Sequence, residues 1–386
     1  RAPLIIQVSI VSGVAIVIQA GLEFLGLGDP SVPTWGGMLQ DAFANMFTAP
    51  ISLVWPGLTI AVTVASFVLL ANAIRDRMQS GGSTTHRAPK LPPARTATTA
   101  KPPQDSDIVL DVRDLVVAYP DGDGWREVVK GVSLEVHKGD VLGLVGESGS
   151  GKTQTDFAVL GLLSTGGRIL SGSIFFDGKD LSKLSEAEIR ALRGRRIAYV
   201  PQEPMSNLDP SFRIGYQLVE PMCTVLGISR AEAKKRALKL LARVGLPDPE
   251  RTFRAYPHQI SGGMAQRVLI AGAVSCSPDL LIADEPTTAL DVTIQAEVLD
   301  LLRDLEAEFH MSVILVTHNF GVVADSCNKV AVMNDGRVVE ANDARELFAA
   351  PQHDYTRLLL ASVLEDSATR TYTPPRQAPA VNEVTA

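Results

Sequence analysis

The chain has 386 residues, with 36 Lys+Arg against 43 Asp+Glu and hence a net charge of −7 with histidine neutral. Charged residues make up 20% of it and hydrophobic residues 46%; a soluble domain carries about 25% charged residues, so part of the chain reads as non-soluble. Ordinary Gly and Pro usage and only three cysteines exclude a collagen-like or disulfide-stapled chain, and the acidic balance argues against a nucleic-acid partner.

Residues 1–80 carry seven charged side chains: Arg1, Glu23, Asp29, Asp41, Arg75, Asp76 and Arg77. Residues 2–22 and 42–74 carry none. A bilayer-spanning helix needs about 20 mostly apolar residues, so two spans are expected, at about 4–22 and 51–74. The segment between them is rich in Gly and Pro and holds Trp35 and an amphipathic stretch at 38–47. The first run lacks the basic start and the cleavage site of a signal peptide. The chain opens on Arg rather than Met and reads as a piece whose earlier residues are missing. Arg75 and Arg77 put the end of the second span on the cytoplasmic side. Residues 81–107 are dominated by Pro, Thr, Ala and Lys and read as a flexible linker.

From residue 108 the pattern is that of an α/β domain. Apolar runs at 109–112, 132–136 and 141–145, separated by Gly/Asp turns, are expected strands. The third leads into Gly146-Glu147-Ser148-Gly149-Ser150-Gly151-Lys152-Thr153 and then a helix-compatible run at 154–163. This is the P-loop pattern GxxxxGK[ST]. Its glycines let backbone N–H groups close around phosphates, and the helix N-terminus adds a positive dipole end. Lys152 is expected on the β/γ-phosphates and Thr153 on Mg²⁺.

Residues 205–280 are strongly helical in pattern, above all at 230–244, and read as a helical subdomain. Near its end, Ser261-Gly262-Gly263 opens a helical run at 268–275 and offers a second anion-binding helix end. One triphosphate needs two such ends only if they approach it from opposite faces at a dimer interface. The apolar run at 280–283 then delivers Asp284 and Glu285 at the end of an expected buried strand. Asp284 would hold Mg²⁺ and Glu285 would polarise an attacking water as general base. Cys223, Cys276 and Cys327 are widely spaced, without metal-ligand pairing, and read as thiols in a reducing compartment.

With these three motifs in order, the chain resembles the ATP-binding-cassette (ABC) ATPases. Met264 after the two glycines is similar to the oligopeptide/dipeptide branch of the importers. The resemblance implies that Tyr119 stacks on adenine and that Gln202 senses Mg²⁺ and couples to the membrane domain. It also implies that Asp291, in Ala289-Leu290-Asp291, forms the D-loop and that His318 contacts the γ-phosphate. Catalysis would rest on Glu285, His318 and Lys152; Mg²⁺ would be met by Thr153, Gln202 and Asp284; and Gly146–Thr153, Ser261, Gly262 and Gly263 would bind ATP.

The likeness extends to residues 203–210, to 351–357, and to 21–37, which is similar to the end of that family's permease. The implied architecture is a P-loop ABC cassette over 108–362 (RecA-like core, β-subdomain, helical subdomain). It is preceded by a permease fragment with two transmembrane helices over 1–80 and followed by a disordered tail over 363–386. The implied cofactors are ATP and Mg²⁺. The implied partners are a second ABC ATPase subunit, identical or sister, permease subunits and an extracellular substrate-binding protein, at the plasma membrane with the ATPase on the cytoplasmic side. The implied function is ATP-driven import of peptides or a related small solute; the alternatives are a non-transport ABC ATPase and an exporter. Two departures stand out. No cysteines follow 351–357, so no iron–sulfur centre is expected, and Asp156 and Phe157 occupy helix positions where smaller or apolar residues are expected.

Overall fold

The computed structural model describes residues 2–29, 31–79, 102–103, 105–122, 124–288 and 292–366. The chain divides into two compact units, Arg1–Ala88 and Pro89–Ala386.

In the first unit α1 (Ala2–Phe24), α2 (Trp35–Ala44) and α3 (Val54–Gln79) follow one another, α3 being entered through the 3₁₀ turn Pro50–Leu53. Thr34 caps α2 by accepting a hydrogen bond from Gly37 N. A Cβ at Gly36 would lie 2.4 Å from Ala20 O, so α2 approaches α1 as closely as a glycine allows. Among the described residues one helix is long and apolar enough to cross a membrane, Pro50–Ala73, with a mean hydropathy of 2.1. The apolar stretch recognised in α1 is Val11–Phe24, shorter than a full crossing.

The second unit opens with β1 (Ile108–Asp121), β2 (Gly124–His137), β3 (Val141–Val145), α4 (Lys152–Leu160), β4 (Arg168–Phe176) and β5 (Lys179–Asp180). It continues through α5 (Glu186–Leu192), β6 (Ile197–Val200), α6 (Ile214–Leu226), α7 (Arg230–Arg243), α8 (Pro249–Arg254) and α9 (Gly262–Val274). It closes with β7 (Leu280–Asp284), α10 (Val292–Phe309), β8 (Ser312–Thr317), α11 (Phe320–Ser326), β9 (Lys329–Asn334), β10 (Arg337–Asp343), α12 (Ala344–Ala349) and α13 (Asp354–Asp366). The expected runs at 109–112 and 132–136 pair with each other at the open end of a longer hairpin. The expected helix at 154–163 starts at Lys152 and stops at Leu160, because Gly161 takes the left-handed φ that ends it.

The strands form two sheets, an antiparallel one in the order β2-β1-β4-β5 and a six-stranded one in the order β10-β9-β3-β8-β7-β6. In the larger sheet β9, β3, β8, β7 and β6 run parallel, and β10 adds an antiparallel edge. Covered on both faces, β7 and β8 are buried at every position, which is why they read as unbroken apolar runs. One apolar core joins α4 to both sheets through Ala158, Val159 and Leu160. A second joins helices α6, α7 and α9 to the far end of the larger sheet. A third packs α11, α12 and α13 against Val145, Val330 and Val332.

Candidate functional site

The registers align four strand ends side by side: Val145 pairs with Thr317, Val316 with Asp284, and Ala283 with Val200. The segments leaving these ends are the phosphate loop after β3, His318 after β8, Asp284-Glu285 at β7, and Gln202 after β6. In a parallel sheet the carboxyl ends are where ligands bind, and the order β3-β8-β7-β6 makes neighbours of residues up to 172 positions apart in sequence.

The loop is wound too tightly for any residue but glycine at its first position. A Cβ at Gly146 would lie 2.2 Å from Met333 O, a backbone atom that cannot yield. At the other end Gly151 takes φ +103° and starts α4 as its N-cap. Glu147, Ser148 and Gly149 are exposed, whereas Ser150 is buried and its Oγ has no hydrogen-bond partner. Lys152 is only 5% exposed. Its Nζ donates to Gly146 O at 2.7 Å and Glu147 O at 2.9 Å, folding back over the loop. Burial lowers its pKa, and Glu285, Asp284, Asp156 and Glu147 oppose that shift.

Asp284, 3% exposed, is held above its ordinary pKa by burial, while hydrogen bonds from Thr153 and Tyr199 pull it back down. The Thr153 hydroxyl beside a buried carboxylate is the all-oxygen donor set a hard divalent cation takes, so these residues fit Mg²⁺. Glu285 sits one residue past the strand with φ +45°, a strained left-handed backbone for a non-glycine residue. Its N–H donates to Val316 O at 2.9 Å, so β8 holds the strained turn in place. That turn aims the carboxylate into a cluster: Gln202 Nε2 donates to it at 2.9 Å, Thr288 Oγ1 at 2.8 Å, and His318 Nδ1 lies 3.3 Å away.

Lys152, Thr153, Asp284, Glu285, Gln202 and His318 thus converge. Tyr119 lies at the margin: its hydroxyl donates to Gln154 Oε1 at 2.5 Å, in the first turn of α4, and its ring packs against Gly167. Ser261 is not brought to the loop within one chain. It caps α9, accepting from Met264 N at 3.3 Å, and Gly262 beside it faces open space. Asp291 lies outside the described residues. Tyr199 and Thr288 join the cluster although no motif marked them; their signal is an offset of three residues from Gln202 and Glu285.

A family model described as ABC transporter matches residues 129–288. The oligopeptide transport ATP-binding protein OppD of Salmonella typhimurium is 46% identical over 270 residues, which is 70% of this chain and 80% of that protein. The dipeptide transport ATP-binding protein DppD of Escherichia coli is 44% identical over 257 residues, covering 67% of this chain and 79% of that one. Among solved structures, a dimeric ATP-binding cassette in a post-hydrolysis state bound to ADP and phosphate aligns with a TM-score of 0.56 at 28% identity. That alignment covers 61% of this chain and 99% of the cassette. The cbiO1 subunit of a Clostridium perfringens ABC transporter complex aligns with a TM-score of 0.53 at 30% identity, covering 63% and 92%.

Proposed function

The chain belongs to the ABC transporter family, among the ATP-binding proteins of oligopeptide and dipeptide transport, and from that premise we propose that it hydrolyses ATP to drive the import of peptides across a membrane. The observation that carries the chemistry is the cluster around the Glu285 carboxylate, with Gln202, Thr288 and His318 on it and with Lys152 and Thr153, at the start of α4, facing Glu285 and the neighbouring Asp284. The names of the curated relatives support peptides as the cargo class over a non-transport role.

In this reading the N–H groups of residues 146–153 bind the phosphates. Lys152 leaves the two loop carbonyls it now covers and neutralises the β/γ-oxygens. Thr153 and Asp284 hold Mg²⁺, which supplies charge neutralisation at the phosphate oxygens when bound. Gln202 would join them in holding the ion through its side-chain carbonyl, while its Nε2 donates to Glu285. Glu285 accepts a proton from the attacking water, and His318 orients that water and the γ-phosphate across the carboxylate. Tyr119 offers a ring to the adenine. Ser261, Gly262 and Gly263 serve the nucleotide of a second cassette, and Asp291 belongs to the same interface.

Glu285→Gln is expected to bind ATP as tightly as wild type but to lose 10²–10⁴-fold in hydrolysis, roughly the usual weight of a general base. Lys152→Ala weakens binding and hydrolysis together. Nucleotide titration and phosphate release measure the two, and normal turnover by Glu285→Gln would remove that residue as the base.

The unit Arg1–Ala88 reads as the end of a permease joined to its ATPase. An exposed apolar helix at Pro50–Ala73 followed by Arg75 and Arg77 supports a membrane span with its C-terminal end in the cytoplasm. Other permease subunits and an extracellular binding protein would complete the transporter.

A further inference from the structure

Strand β6 carries more into the site than the glutamine that follows it. Tyr199 pairs with Ile282 on the parallel neighbour β7. Residues two apart on a strand share a face, so Tyr199 lies on the same face as Asp284 and diagonal to it. Its hydroxyl donates to Asp284 Oδ2 at 3.2 Å. Phe157 of α4 holds the ring edge-on, with centroids 5.8 Å apart and planes at 64°. Asp284 is therefore gripped by two hydroxyls from different elements, Thr153 of α4 and Tyr199 of β6. Two hydroxyl donors on one buried carboxylate leave it little rotational freedom. Gln202, three residues on, grips Glu285, so one strand end supports both acids.

We propose that Tyr199 is a positioning residue for the metal ligand: its hydroxyl sets the Asp284 carboxylate beside Thr153 before the ion arrives, an inference that rests on the nucleotide-site reading above. Partners that orient a first ligand in this way are typically worth 10–100-fold in metal affinity. The role also explains why an aromatic with a polar tip stands in this strand: the ring fills the gap against Phe157, and the hydroxyl satisfies a buried charge.

The test uses Mn²⁺ as a spectroscopic probe, titrated into the full chain saturated with a non-hydrolysable ATP analogue and followed by the loss of the free-ion EPR signal. Tyr199→Phe should weaken Mn²⁺ binding by about tenfold, while nucleotide affinity measured in EDTA stays at the wild-type value. Phe157→Ala, which keeps the hydroxyl but frees the ring, should give a smaller loss in the same direction. Asp284→Asn is the control and should abolish the metal's contribution. Wild-type Mn²⁺ affinity in Tyr199→Phe, with the site lost in Asp284→Asn, overturns the positioning role. A fall in EDTA affinity equal to the fall in Mn²⁺ affinity also overturns it, because that marks general loosening. Wild-type Mn²⁺ affinity in Asp284→Asn overturns the metal-site reading itself.

Discussion

The carboxyl of Asp156 lies in α4, one turn past Lys152, 1% exposed and with no hydrogen-bond partner on Oδ2. Burial, with the Asp284 charge adding to it, pushes its pKa well above the ordinary 3.8, against the pull of Lys152. The folded protein therefore keeps this proton at pH values where the unfolded chain has lost it. The contribution of this group to stability is full below the unfolded value and falls as pH rises toward the folded one. Asp156→Asn, a neutral isostere, should remove that slope: the loss of Tm between about pH 5 and about pH 8 should shrink relative to wild type. An unchanged slope would mean that the folded carboxyl is ionised. The sequence marked Asp156 as out of place on its helix but could not show what it faces, because burial and the approach of Asp284 depend on how β7 lies beside α4. Tyr199 and Thr288 carry no mark in the sequence for the same reason. Their offsets of three from Gln202 and Glu285 acquire meaning only once β6 and β7 are neighbours.

At the scale of elements, the strands that carry the site are legible from their composition. Residues 141–145, 280–284 and 312–317 are apolar without alternation, as buried parallel strands must be. Their order in the sheet is not legible, because β3 sits between β9 and β8, which come from the far end of the chain. The C-terminal segment 351–357 was visible as a motif but not as an element with a purpose. Its attachment is polar: the Glu340 carboxylate of β10 accepts from Gln352 N at 2.8 Å and His353 N at 3.0 Å, just ahead of α13. Arg357 ties the turn by donating to Pro351 O and Gln352 O, and Tyr355 OH accepts from Glu147 N at 3.4 Å in the phosphate loop. Backbone donors on a carboxylate are charge-assisted bonds worth roughly 1.5–3 kcal/mol. Glu340→Ala should therefore release α13 at a cost of about 1–2 kcal/mol, discounted for partial exposure. Hydrogen exchange over 352–360 should accelerate, while the amides of β7 and β8 keep their protection. Loss of protection throughout would show that α13 is inseparable from the core rather than pinned to it.

For the molecule as a whole, the decisive geometry is what one chain leaves unfinished. The phosphate loop exposes Glu147, Ser148 and Gly149, and the start of α9 exposes Ser261 and Gly262. The hydroxyl of Ser261 is spent on its own helix, and Gly262 has open space in front of it. Two incomplete halves of this kind complete each other if a second cassette is related by a two-fold axis, so that each loop meets the other chain's α9. A dimeric cassette among the solved relatives supports that arrangement. The consequence is genetic complementation in vitro. A chain carrying Lys152→Ala keeps a good α9 end but has a dead loop; a chain carrying Ser261→Arg keeps a good loop but blocks its partner's site. Each alone should be nearly inactive. In a mixed dimer, however, the Lys152 of the second chain faces the Ser261 of the first, and one site is whole. Random pairing of equal amounts makes half the dimers mixed, each with one of two sites intact, so independent sites would restore about a quarter of wild-type ATPase activity. Phosphate release from the two variants apart and together measures this. No recovery on mixing would show that two copies of this chain do not share a nucleotide, and would assign the facing α9 to a different ATPase subunit.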